Sequence, residues 1–165
     1  MTARPIVQWP DPRLSTKCAR VEAITDDVRS IWQDMIDTMD AMPGVGLAAP
    51  QIGEMVQLAV VDASELRDKR IRLANPEVID ASAILNSHEE ASPCLPGVYA
   101  AIKRPRGVRV RFMDETGAIR EQDFVGLEAT SVQHQIDHLA GKLYFHRLSK
   151  VKRDMLLKRA KKAKG

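Results

Sequence analysis

The sequence predicts an α+β fold. Three observations carry this: strand-like segments cluster in the middle, helix-like segments lie early and late, and turn residues separate them. Thr25-Asp26-Asp27 reads as a helix start. Val28, Ile31, Trp32, Met35, Ile36 and Met39 follow at helical spacing, and the helix ends before Pro43-Gly44. Residues 44–53, rich in small side chains, read as a loop. Residues 56–61 read as a buried strand, and 71–76 as a second one ended by Pro76. Residues 98–103 and 108–113 read as strands joined through Arg104-Pro105-Arg106-Gly107. A turn at Asp114-Glu115-Thr116-Gly117 leads to a further strand over 119–125. Residues 127–140 form a helix stopped by Gly141, and Ser149 caps a last helix through Ala163.

A chain of 165 residues with 44% hydrophobic and 28% charged content reads as one globular domain over 1–165. No apolar run reaches the ~18 residues of a membrane span. Met1-Thr2-Ala3-Arg4-Pro5 carries no apolar export core, and Cys18 and Cys94 make no disulfide framework, so a reducing cytoplasm is expected. The net charge of +3 is unevenly spread: residues 150–165 hold eight Lys and Arg and one acid, a charge of +7, leaving −4 on residues 1–149. A general nucleic-acid surface on the body is therefore not expected.

His134-Gln135-Ile136-Asp137-His138 is the segment richest in chemistry. Two histidines four apart share one helix face and can hold one metal ion, with a third ligand from elsewhere. The hydrolytic form of this pattern has glutamate after the first histidine. Here that position is Gln135, and a neutral amide cannot take a proton from water.

Three blocks in order resemble peptide deformylases. Gly44-Val45-Gly46-Leu47-Ala48-Ala49-Pro50-Gln51-Ile52-Gly53 is similar to the family's first motif. Glu89-Glu90-Ala91-Ser92-Pro93-Cys94-Leu95-Pro96-Gly97-Val98-Tyr99-Ala100 occupies the second, and Gln133 to Gly141 the third. Arg147-Leu148-Ser149 and the basic final helix match as well. The resemblance implies the deformylase fold, with antiparallel or mixed sheets around a central metal-motif helix. It implies removal of the formyl group from formyl-methionyl nascent peptides, with Fe2+ (or Zn2+ or Ni2+) held by two histidines and a cysteine. His134 and His138 fall on the histidine ligands and Gln51 on the glutamine that stabilises the oxyanion. Gly46 falls where backbone passes close to substrate. Gly44, Val45, Glu90 and Leu95 join Gly46 as expected peptide-binding positions.

The departures fall on the chemistry. The family's second motif reads Glu-Gly-Cys-Leu-Ser, one further residue, then Pro-Gly. Without gaps, Ser92 stands at the cysteine ligand, Ala91 at the glycine, Pro93 at the leucine and Cys94 at the serine. A neutral hydroxyl is a poor ligand beside a thiolate. Proline has no N–H to offer an oxyanion, a donor worth about 2.7–4 kcal/mol elsewhere. Gln135 replaces the catalytic glutamate. The resemblance thus implies a deformylase-like protein with catalysis lost or much reduced. Two alternatives stay open. In one, Cys94, on the same side as Ser92 of an extended strand, is recruited as ligand and Glu89 or Glu90 acts as base. In the other, the chain binds formyl peptides or the ribosome (rRNA, through the basic last helix) without turnover. A monomer is expected, Met155, Leu156 and Leu157 giving the last helix its apolar strip. Arg104 and Arg106 are expected in solvent, and His88 and His146 at the surface.

Overall fold

The computed structural model describes residues 2–164. Helix α1 (Asp26–Ala41) is capped by Thr25, whose side chain accepts from the Val28 N–H at 3.2 Å. Seven strands follow before the second helix: β1 (Gly46–Ala48), β2 (Leu58–Val61), β3 (Ile71–Ala81), β4 (Leu85–Glu90), β5 (Ala100–Pro105), β6 (Gly107–Met113) and β7 (Ile119–Val125). Then come α2 (Gly126–Leu139) and α3 (Lys150–Lys164). Ser149 caps α3 by accepting from the Lys152 N–H at 3.3 Å.

The strands form a five-stranded sheet in the order β1-β2-β3-β6-β7 and a two-stranded sheet, β4-β5, and every strand pair is antiparallel. Side-chain alternation in β2 shows how the large sheet is covered. Leu58 and Val60 pack with Trp32, Met35, Ile36 and Met39 of α1, whereas Ala59 and Val61 pack with Ala129, Val132 and Leu139 of α2. All four β2 residues are buried, as expected of a strand covered on both faces. A third cluster joins Leu95, Val98 and Ile102 to Tyr144, Phe145 and the inner face of α3.

Four element readings change. β3 runs through Pro76 to Ala81, because a bulge takes the proline out of the ladder: the register shifts between Ala74 and Glu77 and Asn75 adopts φ +51°. Asn75 is held there by two bonds to the Val21 backbone, at 2.8 and 2.7 Å. The small-residue loop contains the edge strand β1 and a 3₁₀ turn, Ala49–Ile52. β4 is a strand with almost no apolar alternation, formed by pairing with β5 and exposed or half-buried except at Glu90. In α3 the buried residues are Leu156 and Ala160, while Met155 is 55% exposed.

Gly141 ends α2 at φ +79°, and a Cβ there would lie 2.9 Å from the Ser15 backbone. Glycine meets both the left-handed turn and the close approach. No helix among the described residues is long and apolar enough to cross a membrane.

Candidate active site

The site lies between the edge strand β1, helix α2 and the turn after β4. A cleft of about 570 Å³ is lined by Gly44, Val45 and Gly46 on one side and by Ser92, Pro93, His134 and Gln135 on the other. Gln51 and Glu90 also border it. Helix α2 can approach β1 because residue 46 has no side chain. A Cβ at Gly46 would lie 2.4 Å from Ser131 Oγ and 2.7 Å from Gln135 Nε2. Ser131 Oγ instead donates to the Val45 carbonyl at 3.0 Å, tying helix to strand.

His134 and His138 face one another across one helical turn, ring centroids 5.0 Å apart. His134 Nδ1 is 2.9 Å from Glu90 Oε1. A carboxylate only accepts, so Nδ1 is the donor in this contact. His138 is 1% exposed, and neither of its ring nitrogens has a hydrogen-bond partner among the described residues. Burial, then the neighbouring His134, pushes its pKa well below the usual imidazole value, so it is neutral.

Behind the pair lies a chain of charges. Arg104 donates to both oxygens of Glu90, at 2.6 and 2.9 Å, and to Asp137 at 2.9 Å. Arg147 adds two bonds to Asp137, at 2.7 and 2.9 Å. Arg104 is 1% exposed, which corrects the expectation that solvent surrounds it; Arg106 is exposed as expected. Three hydrogen bonds to two carboxylates offset the cost of burying the guanidinium. Burial raises the Glu90 carboxyl's pKa, and the bonds from His134 and Arg104 more than reverse that, leaving it below the usual value.

The second-motif segment is a turn and not an extended strand. Leu95 N–H donates to the Ser92 carbonyl at 3.0 Å, with Pro93 at the position proline favours in such a turn. Ser92 Oγ accepts from the Cys94 N–H at 3.2 Å. Cys94 is fully buried, and its sulfur receives Gln51 Nε2 at 3.5 Å. Burial raises the pKa of its thiol, against the smaller opposing effects of Ser92 and Gln51. The parity argument that would carry Cys94 to the histidines therefore has no strand to act on. Leu95 does not line the cleft; it is 4% exposed in the core beneath α3, a correction to its expected peptide contact. Glu90 borders the cleft with both oxygens already engaged. His146 is exposed, while His88 is half-buried with Nδ1 2.8 Å from Thr130 Oγ1.

The family model for polypeptide deformylase matches residues 3–154. The chain belongs to the peptide deformylase family. It is 40% identical to a peptide deformylase of Rhizorhabdus wittichii over 99% of this chain and 97% of that one. Identity to the peptide deformylase of Afipia carboxidovorans is 41%, over 99% and 96%. Among solved structures, a peptide deformylase from Legionella pneumophila superposes with a TM-score of 0.91 at 36% identity, over 99% and 96% of the two chains. The Ehrlichia chaffeensis peptide deformylase in complex with actinonin superposes with a TM-score of 0.92 at 32% identity, over 99% and 98%.

Peptide deformylases are metal-dependent, so the donor set can be tested against that requirement. The imidazole pair suits a metal: among the described residues His138 has buried ring nitrogens without a partner, and His134 engages Glu90 through Nδ1 alone. The third corner does not. Among the described residues no three His, Cys, Asp or Glu side chains come together as a metal-holding group. Ser92, the residue expected from the sequence as third ligand, carries a neutral hydroxyl that already accepts the Cys94 N–H. The residues present do not complete the deformylase ligand set.

Sequence reading missed Arg104, Asp137 and Arg147 as one network. One signal was present: Arg104 lies two residues after buried Ile102 in β5, on the same strand face.

Proposed function

We propose that this chain is a peptide deformylase family member that keeps the peptide-binding cleft and has lost ordinary deformylation. The observation that carries the reading is the turn at Ser92-Pro93-Cys94. In it the Ser92 hydroxyl, read as standing for the deformylase thiolate, accepts the Cys94 N–H, Pro93 offers no backbone donor, and the sulfur meets Gln51, which supports the reading. Gln135 adds a side chain that cannot shuttle a proton. The cleft itself supports retained binding, since Gly46 still permits the close approach of α2 to β1.

Purified protein should bind a formyl-methionyl peptide and release no formate above the background of free metal ions. A turnover near 1 s⁻¹ or faster, within the usual enzyme range of about 1–10³ s⁻¹, would overturn the reading. Restoring the family residues together, as A91G, S92C, P93L, C94S and Q135E, should create metal retention and measurable formate release. Actinonin, bound by the Ehrlichia relative, serves as a competitor for the cleft.

A second reading concerns α3. Its lysines lie on the exposed face and Leu156 and Ala160 anchor it, which suits a cytoplasmic monomer that touches ribosomal RNA. Removing residues 158–165 should weaken co-sedimentation with ribosomes, more so as salt is lowered. Unchanged co-sedimentation would remove the helix as the contact.

A further inference from the structure

A second concavity shares no lining residue with the cleft. It measures about 620 Å³, within the range of about 300–1,000 Å³ usual for small-molecule sites, and lies between Ser15, strand β5 and the segment that follows α2. Lys103 of β5 lines it, together with Lys142, His146 and Arg147. Among the described residues Asp137 is the one acid in the lining, and its oxygens are already taken, Oδ2 by Arg104 and Arg147 and Oδ1 by Arg147. Lys103 and Lys142 have no carboxylate partner among the described residues. In and behind this wall four cations, Lys103, Arg104, Lys142 and Arg147, meet two carboxylates, Asp137 and Glu90. A surplus of two positive charges therefore faces one concavity, although residues 1–149 carry −4. Two of its donors are fixed in advance. Asp137 holds Arg147 through Nε and Nη2, at 2.7 and 2.9 Å, leaving Nη1 without a partner among the described residues. The Leu143 N–H donates to His146 Nδ1 at 3.0 Å, so the neutral imidazole carries its proton on Nε2. The Lys142 backbone is anchored as well, its N–H donating to the Asp137 carbonyl at 2.9 Å directly after the left-handed Gly141.

We propose that this concavity binds the phosphate group of a small phosphorylated molecule, with Lys103, Lys142, Arg147 Nη1 and His146 Nε2 as its donors. The lining matches that chemistry. A phosphate group carries up to two negative charges and several acceptor oxygens, and it asks the protein for N–H donors and cations alone. Arginine and lysine supply these in complementary ways, the first as an oriented fork and the second as a mobile point charge. Donors already held by Asp137 and by the Leu143 N–H lose little freedom on binding, which distinguishes this wall from a solvated row of lysines. The remaining volume leaves room for the group that carries the phosphate. The site stands apart from the reading of the cleft, and neither depends on the other.

The test is a calorimetric titration of the full chain with inorganic phosphate, pyrophosphate and adenosine 5′-diphosphate, at about 0.15 M salt so that contacts with the exposed basic helix are screened. The wild type should bind pyrophosphate one to one with a Kd of about 1 mM or tighter. K103E/K142E should weaken this by at least about tenfold, the scale of lost charge-assisted hydrogen bonds, and K103Q/K142Q should lie between the two. Both lysines are exposed, so the variants should keep native circular dichroism. K158A/K161A/K162A, which lowers the charge of α3, should bind within about threefold of the wild type. The Nε2 resonance of His146 should shift as pyrophosphate saturates. Tighter binding of adenosine 5′-diphosphate than of pyrophosphate would assign the rest of the concavity to the nucleoside, and equal affinity would assign recognition to the phosphate groups alone; either outcome supports the site. Absence of saturable binding of all three probes, unchanged affinity in K103E/K142E, or a loss confined to the α3 variant would overturn it. So would binding of a polyuridylate strand by a wild type that binds none of the three, which would mark a polyanion surface instead.

Discussion

Glu90 Oε1 lies 2.9 Å from His134 Nδ1 while Arg104 holds both carboxylate oxygens, so one buried glutamate sets both the tautomer of an active-site histidine and the place of a buried arginine. Orientation of the imidazole is therefore built into the protein independently of any metal. Breaking this arrangement from one side should be costly. Arg104→Met leaves Glu90 and Asp137 buried without their shared cation, an expected loss of about 3–5 kcal/mol. Urea unfolding midpoints check it. The double variant R104M/E90L should recover part of the loss, because it removes an unpaired charge as well as a bond.

Stability should fall in acid through Asp137. Burial raises its carboxyl's pKa, but the Arg147 hydrogen bond and the charges of Arg104 and Arg147 more than reverse this, leaving it below its ordinary value of 3.8. A depressed folded value means the contribution is complete above the unfolded pKa and is lost as pH falls through the folded one. Unfolding free energy should already decline below about pH 6.5 in both proteins, because buried neutral His138 gains a proton on unfolding, and below about pH 5 it should drop more steeply in the wild type than in D137N. Parallel acid profiles for the two proteins would contradict this.

The cleft should lose its shape if residue 46 gains a methyl group. Gly46→Ala brings carbon within 2.4 Å of Ser131 Oγ and 2.7 Å of Gln135 Nε2, so α2 must shift away from β1. Overpacking of this kind costs about 1–3 kcal/mol. Formyl-peptide and actinonin binding should weaken by more than about tenfold, since about 1.4 kcal/mol is a factor of ten. Pairing G46A with S131A should restore stability in part.

Both thiols should be inert in the native protein. Cys18 is 3% exposed and burial pushes its pKa to about 11; Cys94 is fully buried and its pKa is also raised. The thiolate is the reactive form. A disulfide-exchange reagent at pH 8 should label neither until denaturant is added. Cobalt titration supplies the companion measurement: absorption should show nitrogen and oxygen ligation with no sulfur charge-transfer band, unchanged by C94A. A band lost in C94A would restore Cys94 as a ligand.

Much of the site could be read from residues close in sequence. The i, i+4 spacing of His134 and His138 placed both on one helix face, and the helix formed there. Gln51 and Gly46 of the 44–53 block line one cleft, although the edge strand inside the block escaped notice because three residues carry little period-2 signal.

By itself, the sequence determined the α+β class, the family and the helix face shared by His134 and His138. These depend on local periodicity and on ordered motifs, which a chain displays before it folds. Only the tertiary structure decided where Cys94 and Leu95 point and that Arg104 is buried. Parity assumed an extended segment, but Pro93 and the Leu95–Ser92 hydrogen bond made a turn that sends Cys94 toward Gln51 and Leu95 into the core under α3. The charges of Glu90, Arg104, Asp137 and Arg147 come from separate elements, and they become partners only when the sheets and α2 exclude the water between them.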